Sequence, residues 1–240
     1  MRRETKDGIK GKRAKGRGQS PSQVKTASVN SASQVKSQSH PQHLNWLERH
    51  VPTLLIGSGA LGLLAAFILA LEEFHHLKNP GAPLNCDLNP IISCGPAMDV
   101  WQGHALLGIP NQFLGIITFT VMLTMGVALL AGARFKRWFW LGLQAGMFAG
   151  LVFVHWFIYQ SIWVLQHLCP YCMVTWVATI VGFWYIFLYG LRAEHFRLRG
   201  RWNKAVLFVQ KHHADILAFW FLVIIALILN HFWYYWQTLL

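Results

Sequence analysis

Two cysteine pairs, Cys86 with Cys94 and Cys169 with Cys172, are the residues of this chain best suited to chemistry. Cys169-Pro170-Tyr171-Cys172 opens a long apolar run. Pro170 suits the first position of a helix, and the two sulfurs, three residues apart, share one helix face. Unpaired amides and partial positive charge at a helix N-terminus favour thiolate, bringing such thiols from about 8.5 into the range of about 3.5 to 7.5. Cys86 and Cys94 stand eight positions apart in a segment containing Pro80, Gly81, Pro83, Pro90, Gly95 and Pro96, which is unsuited to a regular helix and able to fold back on itself. Thiol–disulfide exchange passes through a mixed disulfide, so a mobile loop pair can serve both an external protein and an internal CxxC. Two alternatives use the same residues: static disulfides, or a zinc site completed by His104 and His167. Only one pair has the close spacing usual for zinc. Static bridging does not account for a CxxC at the mouth of an apolar helix.

The elements that position these cysteines are membrane spans. Of the 240 residues, 54% are hydrophobic and 12% charged, against about 25% charged in ordinary soluble domains. Uncharged apolar runs cover residues 52 to 71, 113 to 133, 138 to 166, 170 to 191 and 216 to 230 onward, each near or beyond the ~20 residues that span a bilayer. The first run follows fifty polar residues and exceeds a signal-peptide core in length, so it is expected to remain as a helix.

The net charge of +12 is distributed by topology and not around aromatic stacking platforms, which argues against nucleic acid. Lys and Arg number 11 in residues 1 to 50, 3 in the loop of Arg134, Lys136 and Arg137, and 6 in residues 192 to 212, leaving only Lys78 elsewhere. Five crossings put those three segments on one side, which the positive-inside bias makes cytoplasmic. All four cysteines then face outward, in a compartment that permits disulfides. Residues 1 to 44 are expected to be a disordered basic tail, since they lack the apolar surface that would offset ordering entropy. The segment from His43 to His50 is expected along the membrane surface, with Pro52 starting the first span.

Gly142, Gly146 and Gly150 align on one face of the third span and predict close approach of another helix backbone. Trp138, Trp140, Trp163, Trp233 and Trp236 lie near span ends and read as interfacial anchors. His155 and His231 read as hydrogen-bonded packing residues. Glu72, Glu73, His75, Asp99 and His104 lie toward the outer surface, where a proton donor would sit, but charged residues at span ends are ordinarily interfacial.

Cys86, Cys94, the stretch Gly108-Ile109-Pro110-Asn111-Gln112-Phe113-Leu114-Gly115 and the CxxC together resemble bacterial vitamin K epoxide reductase homologues over residues 45 to 192. The resemblance lies in cysteine order, loop spacing and the placement of CxxC at the start of the fourth span. The unrelated DsbB-type quinone-linked oxidases have the opposite order, with CxxC in the first outer loop.

The resemblance implies an all-α integral membrane protein: a four-helix bundle around a quinone, ubiquinone or menaquinone, here extended by residues 193 to 240 with a basic loop and a fifth span. It also implies a bacterial inner-membrane location and a separate periplasmic partner, a DsbA-like thioredoxin-fold protein. By position, Cys86 is the cysteine that meets the partner, Cys94 the one that exchanges with Cys169, and Cys172 the one facing the quinone. Asn111 matches the side chain that hydrogen-bonds a quinone carbonyl, with Trp101, Phe113 and Trp176 expected around the ring. The chain departs from many relatives in having Asp99 and Val100 where they carry Ser or Thr, and Trp176 where some carry Tyr. Hydroxyl assistance from those positions is thereby removed. A non-enzymatic membrane subunit with structural disulfides or zinc on its outer face is the alternative to this reading.

Overall fold

A backbone in hydrocarbon must satisfy its own hydrogen bonds, and the apolar runs do so as helices. The computed structural model describes residues 42–79, 81, 83–106, 108–192 and 202–237. In chain order these form α1 (Gln42–Lys78), a short α2 (Gly95–Met98), a 3-10 turn (Trp101–His104), α3 (Asn111–Leu130) and α4 (Arg137–Tyr159), which a π-helical turn (Gln160–Leu165) continues. Then follow α5 (Pro170–Arg192), α6 (Trp202–Lys211), α7 (His213–His231) and α8 (Trp233–Trp236). Five helical stretches are long and apolar enough to cross a membrane: Arg49–Lys78, Asn111–Leu130, Arg137–Leu165, Pro170–Leu191 and His213–His231. The expected all-α membrane fold, four helices plus a fifth, is the one the chain adopts. The expected disordered tail lies, up to residue 41, outside the described residues, as does the stretch 193–201 of the basic loop.

Two local expectations are corrected. Pro52 does not begin a helix but lies inside α1, which runs on through it; a missing amide removes one backbone bond, which a long packed helix can tolerate. Nor do the three glycines of α4 meet a helix backbone. A Cβ at Gly142 or Gly146 would find nothing within 4 Å, and one at Gly150 only Thr179 Cγ2 at 3.8 Å. The close approach occurs between α1 and α3 instead: a Cβ at Gly59 would lie 2.8 Å from the Leu123 nitrogen, and one at Gly126 2.9 Å from the Pro52 carbonyl oxygen. Spacing shows that small residues share a face, but helix rotation decides what that face meets.

The bundle interior divides into two clusters. One, including Val51, Leu55, Phe119, Met122, Met147, Ile180 and Leu188, contains none of the cysteines. The other contains all four cysteines with Leu84, Ile91, Phe157, Ile162, Trp176 and Phe232. Leu61, Phe67, Ile117, Leu130, Phe148 and Leu222 stand exposed on the periphery, the pattern expected where lipid replaces water as solvent.

The fifth span is tied to the bundle by indole donors. Trp220 Nε1 donates to His155 Nε2 at 3.0 Å, while His155 Nδ1 donates to the Leu151 carbonyl at 2.9 Å. Trp184 Nε1 reaches the His213 carbonyl at 3.0 Å. His155 is thus a hydrogen-bonded packing residue.

Candidate functional site

The loop from Leu84 to Cys94 is held by its own polar side chains. Asn89 Oδ1 accepts from the amides of Ile91 at 3.0 Å and Ile92 at 2.7 Å. Asp87 accepts from the Ser93 hydroxyl at 2.6 Å and from the amides of Cys94 and Leu84, each at 3.2 Å. Burial would raise the Asp87 carboxyl, but the hydrogen bonds from Ser93 and the backbone outweigh it and hold the group below its ordinary range. At neutral pH, Asp87 is therefore an ionised clamp on the Cys94 segment. That clamp is fully present above the ordinary Asp range and is lost only as pH falls through the depressed value.

A second set of bonds docks this loop on the residues before the CxxC. Leu168 N donates to the Ile91 carbonyl at 2.8 Å and Ser93 N to the Leu168 carbonyl at 3.2 Å, pairing Ile92 with Leu168 in a parallel bridge. Each residue paired across the bridge is followed closely by a cysteine, so the bridge sets the sulfurs beside one another. Cys86 and Cys94 are joined in a disulfide, Cys169 and Cys172 are free thiols, and Cys94 Sγ lies 3.3 Å from Cys169 Sγ. The loop pair is oxidised, and the CxxC is reduced and in contact with it.

Pro170 starts α5 as its residue type dictates, and Cys169 Sγ accepts from the Cys172 amide at 3.3 Å, the bond that a capping Ser oxygen would make. The Cys172 thiol, donating to Cys169, holds the Cys169 thiol below its ordinary value; burial opposes this, while the backbone amides of Cys172 and Tyr171 add to it. Cys169 is the better thiolate for exchange with Cys94. Replacing Cys172 by Ala is expected to move the Cys169 titration upward, measured from thiolate ultraviolet absorbance. An unchanged midpoint would show that Cys172 does not tune it.

Below the sulfurs lies a cavity of about 280 Å³ between α1, α3, α4 and α5. Its walls include Cys94, Cys169, Cys172, Trp176, Phe119 and Phe157. Thr175 and Thr179 also line it, but their hydroxyls donate to the carbonyls of Cys172 and Thr175, each at 2.8 Å, leaving a mainly apolar surface. Gly146 and Gly150 of α4 face this space. Their missing side chains leave space in the cavity wall and do not seat a helix.

Of the residues expected around a ring, Asn111 and Trp176 line the cavity, while Trp101 and Phe113 do not. Trp101 is 66% exposed and packs on Trp156 with ring centroids 5.9 Å apart. Phe113 is two residues beyond Asn111, about 200° further round its helix, and is 37% exposed. Asn111 Nδ2 donates to the Gln102 carbonyl at 2.6 Å, and its buried Oδ1 has no partner. Asp99 pairs with His76 at 2.8 Å away from the cavity lining, and His167 Nδ1 donates to the Leu165 carbonyl at 2.6 Å. Among the described residues, no group of three or more His, Cys, Asp or Glu is placed to hold a metal ion. Two lining residues, Glu73 and Gln112, were respectively undervalued and unassigned from sequence. Their only signal is polarity at the ends of apolar runs.

A disulfide in contact with a reduced CxxC at one end of a five-span helical bundle defines a multi-pass membrane oxidoreductase acting on thiols. The chain belongs to the vitamin K epoxide reductase family, whose sequence model matches residues 53–187. No curated protein gives a match to the chain.

Proposed function

We propose that this protein carries electrons from a thioredoxin-fold dithiol on the outer side of a bacterial inner membrane to a membrane quinone, ubiquinone or menaquinone, and so supports disulfide formation. The observation that carries the reading is the 3.3 Å contact between Cys94 and Cys169, with Cys172 lining the cavity. The family uses quinones. The cavity suits one, since it is apolar, has a redox thiol in its wall, and contains in Asn111 Oδ1 a buried acceptor that the hydroxyl of the reduced ring can satisfy. The distribution of Lys and Arg supports an orientation with the amino terminus cytoplasmic and the cysteines outside.

In this mechanism a partner thiolate opens the loop disulfide at Cys86 and releases Cys94. Cys94 attacks Cys169 in the oxidised CxxC, and the Cys94–Cys169 bond forms as the Cys169–Cys172 bond breaks. The partner's second thiol releases Cys86 and leaves oxidised. Cys86 then attacks Cys94, which restores the loop disulfide and frees Cys169. The outcome is the arrangement seen: an oxidised loop beside two inner thiols. Those thiols pass two electrons to the quinone as they form their own disulfide. Asn111 holds one quinone oxygen through its second Nδ2 hydrogen, and its Oδ1 receives a hydroxyl once that oxygen is protonated.

The trapping experiment uses Cys94→Ser in membranes. Without Cys94, the free Cys86 thiolate attacks the disulfide of an oxidised partner, and with no second loop cysteine to resolve the bond the adduct is expected to accumulate. Wild-type protein is expected to turn over quinone with a reduced thioredoxin-fold dithiol. No adduct together with no quinone turnover would reject the function.

A further inference from the structure

Glu73 is a carboxyl group in a wall that is otherwise mostly apolar, with its side chain 8% exposed. An ionisable group at such a place is expensive unless it is paired and used. Gln112 Nε2 donates to Glu73 Oε2 at 3.2 Å, and His104 Nε2 lies 3.3 Å from Glu73 Oε1. His104, on the 3-10 turn, is 30% exposed, so the pair runs from the surface to the cavity. Asn111 lines the same cavity as Glu73 and is the residue preceding Gln112. The three elements α1, the 3-10 turn and α3 thus converge on one proton-exchanging pair beside the ring-binding Asn.

We propose that His104 and Glu73 form the proton path to the quinone oxygen held by Asn111. This rests on the quinone-reductase reading above and adds the source of the proton. Oxidation of the Cys169 and Cys172 thiols to a disulfide releases two electrons and two protons, and quinone takes up two of each to become quinol. One oxygen receives its proton from Glu73, which is refilled from water through His104. The other oxygen receives the proton of one thiol, and the second thiol proton leaves to water. Charge and protons balance over the cycle.

The neighbouring titratable groups are committed elsewhere. Glu72 accepts the Asn85 side chain at 2.6 Å, His76 pairs with Asp99 at 2.8 Å, and Asp87 holds Ser93 at 2.6 Å. Cys169 and Cys172 also titrate at this site and are unchanged in the variants below. Glu73→Gln is close to isosteric and keeps an acceptor for Gln112 and a hydrogen-bonding group for His104, but it cannot exchange a proton. A purely structural Glu73 tolerates that change.

The full chain in detergent is assayed with a reduced thioredoxin-fold dithiol protein as reductant and ubiquinone-1 or a short-chain menaquinone as acceptor. In Glu73→Gln, kcat for quinol formation is expected to fall by about 10²-fold, the lower end of what a positioned acid contributes. KM for the quinone is expected to stay within about threefold, because only the transition-state interaction is removed. The ionisation limb of the wild-type kcat–pH profile should vanish in Glu73→Gln and shift in His104→Gln, and formate should restore part of the activity of Glu73→Ala. Wild-type kcat in Glu73→Gln, or a loss confined to KM, overturns the proton path while leaving the quinone reading intact. If Glu73→Gln does not fold, the partly exposed His104→Gln decides by the same pH profile. Absence of reduction of both quinones by the wild type overturns both readings together.

Discussion

Replacing Cys172 by Ser is expected to lower quinone reduction by at least ~10³-fold, about 4 kcal/mol in the barrier. A serine hydroxyl fills nearly the same space, yet it ionises poorly and cannot be oxidised to a disulfide with Cys169. The loss should fall on the electron-transfer step and not on folding, since Cys172 is a small buried residue whose backbone bonds remain. A second consequence separates this from general damage. Cys169 stays in contact with Cys94, 3.3 Å away, but without Cys172 there is no inner disulfide for a released Cys94 thiolate to attack. The loop pair, once opened by a reductant, should therefore stay reduced, as differential alkylation and peptide mapping can detect. Retained quinone turnover in Cys172→Ser would remove the CxxC from the electron path.

Gly146→Phe is expected to reduce quinone turnover by about 10²-fold, the loss that a displacement of about 1 Å at a reacting centre produces. Gly146 lines the cavity, and a Cβ there meets nothing within 4 Å. The ring therefore has space to enter, and it enters the volume that the acceptor needs. Helix α4 should tolerate the change, because glycine is about the poorest helix former after proline. Thiol exchange between the two cysteine pairs should continue at its normal rate, as quenched-flow alkylation can establish. Unimpaired quinone reduction in Gly146→Phe would show that the acceptor binds somewhere else.

The five spans were legible because each signal is local: an uncharged apolar run of sufficient length. The helix start at Pro170, with the CxxC at its mouth, was legible for the same reason. What the glycines of α4 face was not, since that depends on how α4 rotates against α1, α3 and α5. The same limit hid that Trp101 and Phe113 stand outside the cavity lining, since their aromatic character fits either a ring contact or an exposed interfacial side chain. It also left Glu72 and Glu73 indistinguishable, although adjacent residues on a helix point about 100° apart. One accepts Asn85 of the loop and the other enters the cavity. The contact between Cys94 and Cys169 depends on the Ile92–Leu168 bridge, which no residue spacing announces.

Cys86 is only 2% exposed, and Cys94 is fully covered. Dissolved small thiols therefore find no sulfur to attack while residues 84 to 94 stay seated. A reductant must first lift that segment away, and lifting it also separates Cys94 from Cys169. In the proposed relay electrons enter and move inward in alternating postures of one short stretch of chain, so a reductant is admitted by its grip on protein surface before its redox potential matters.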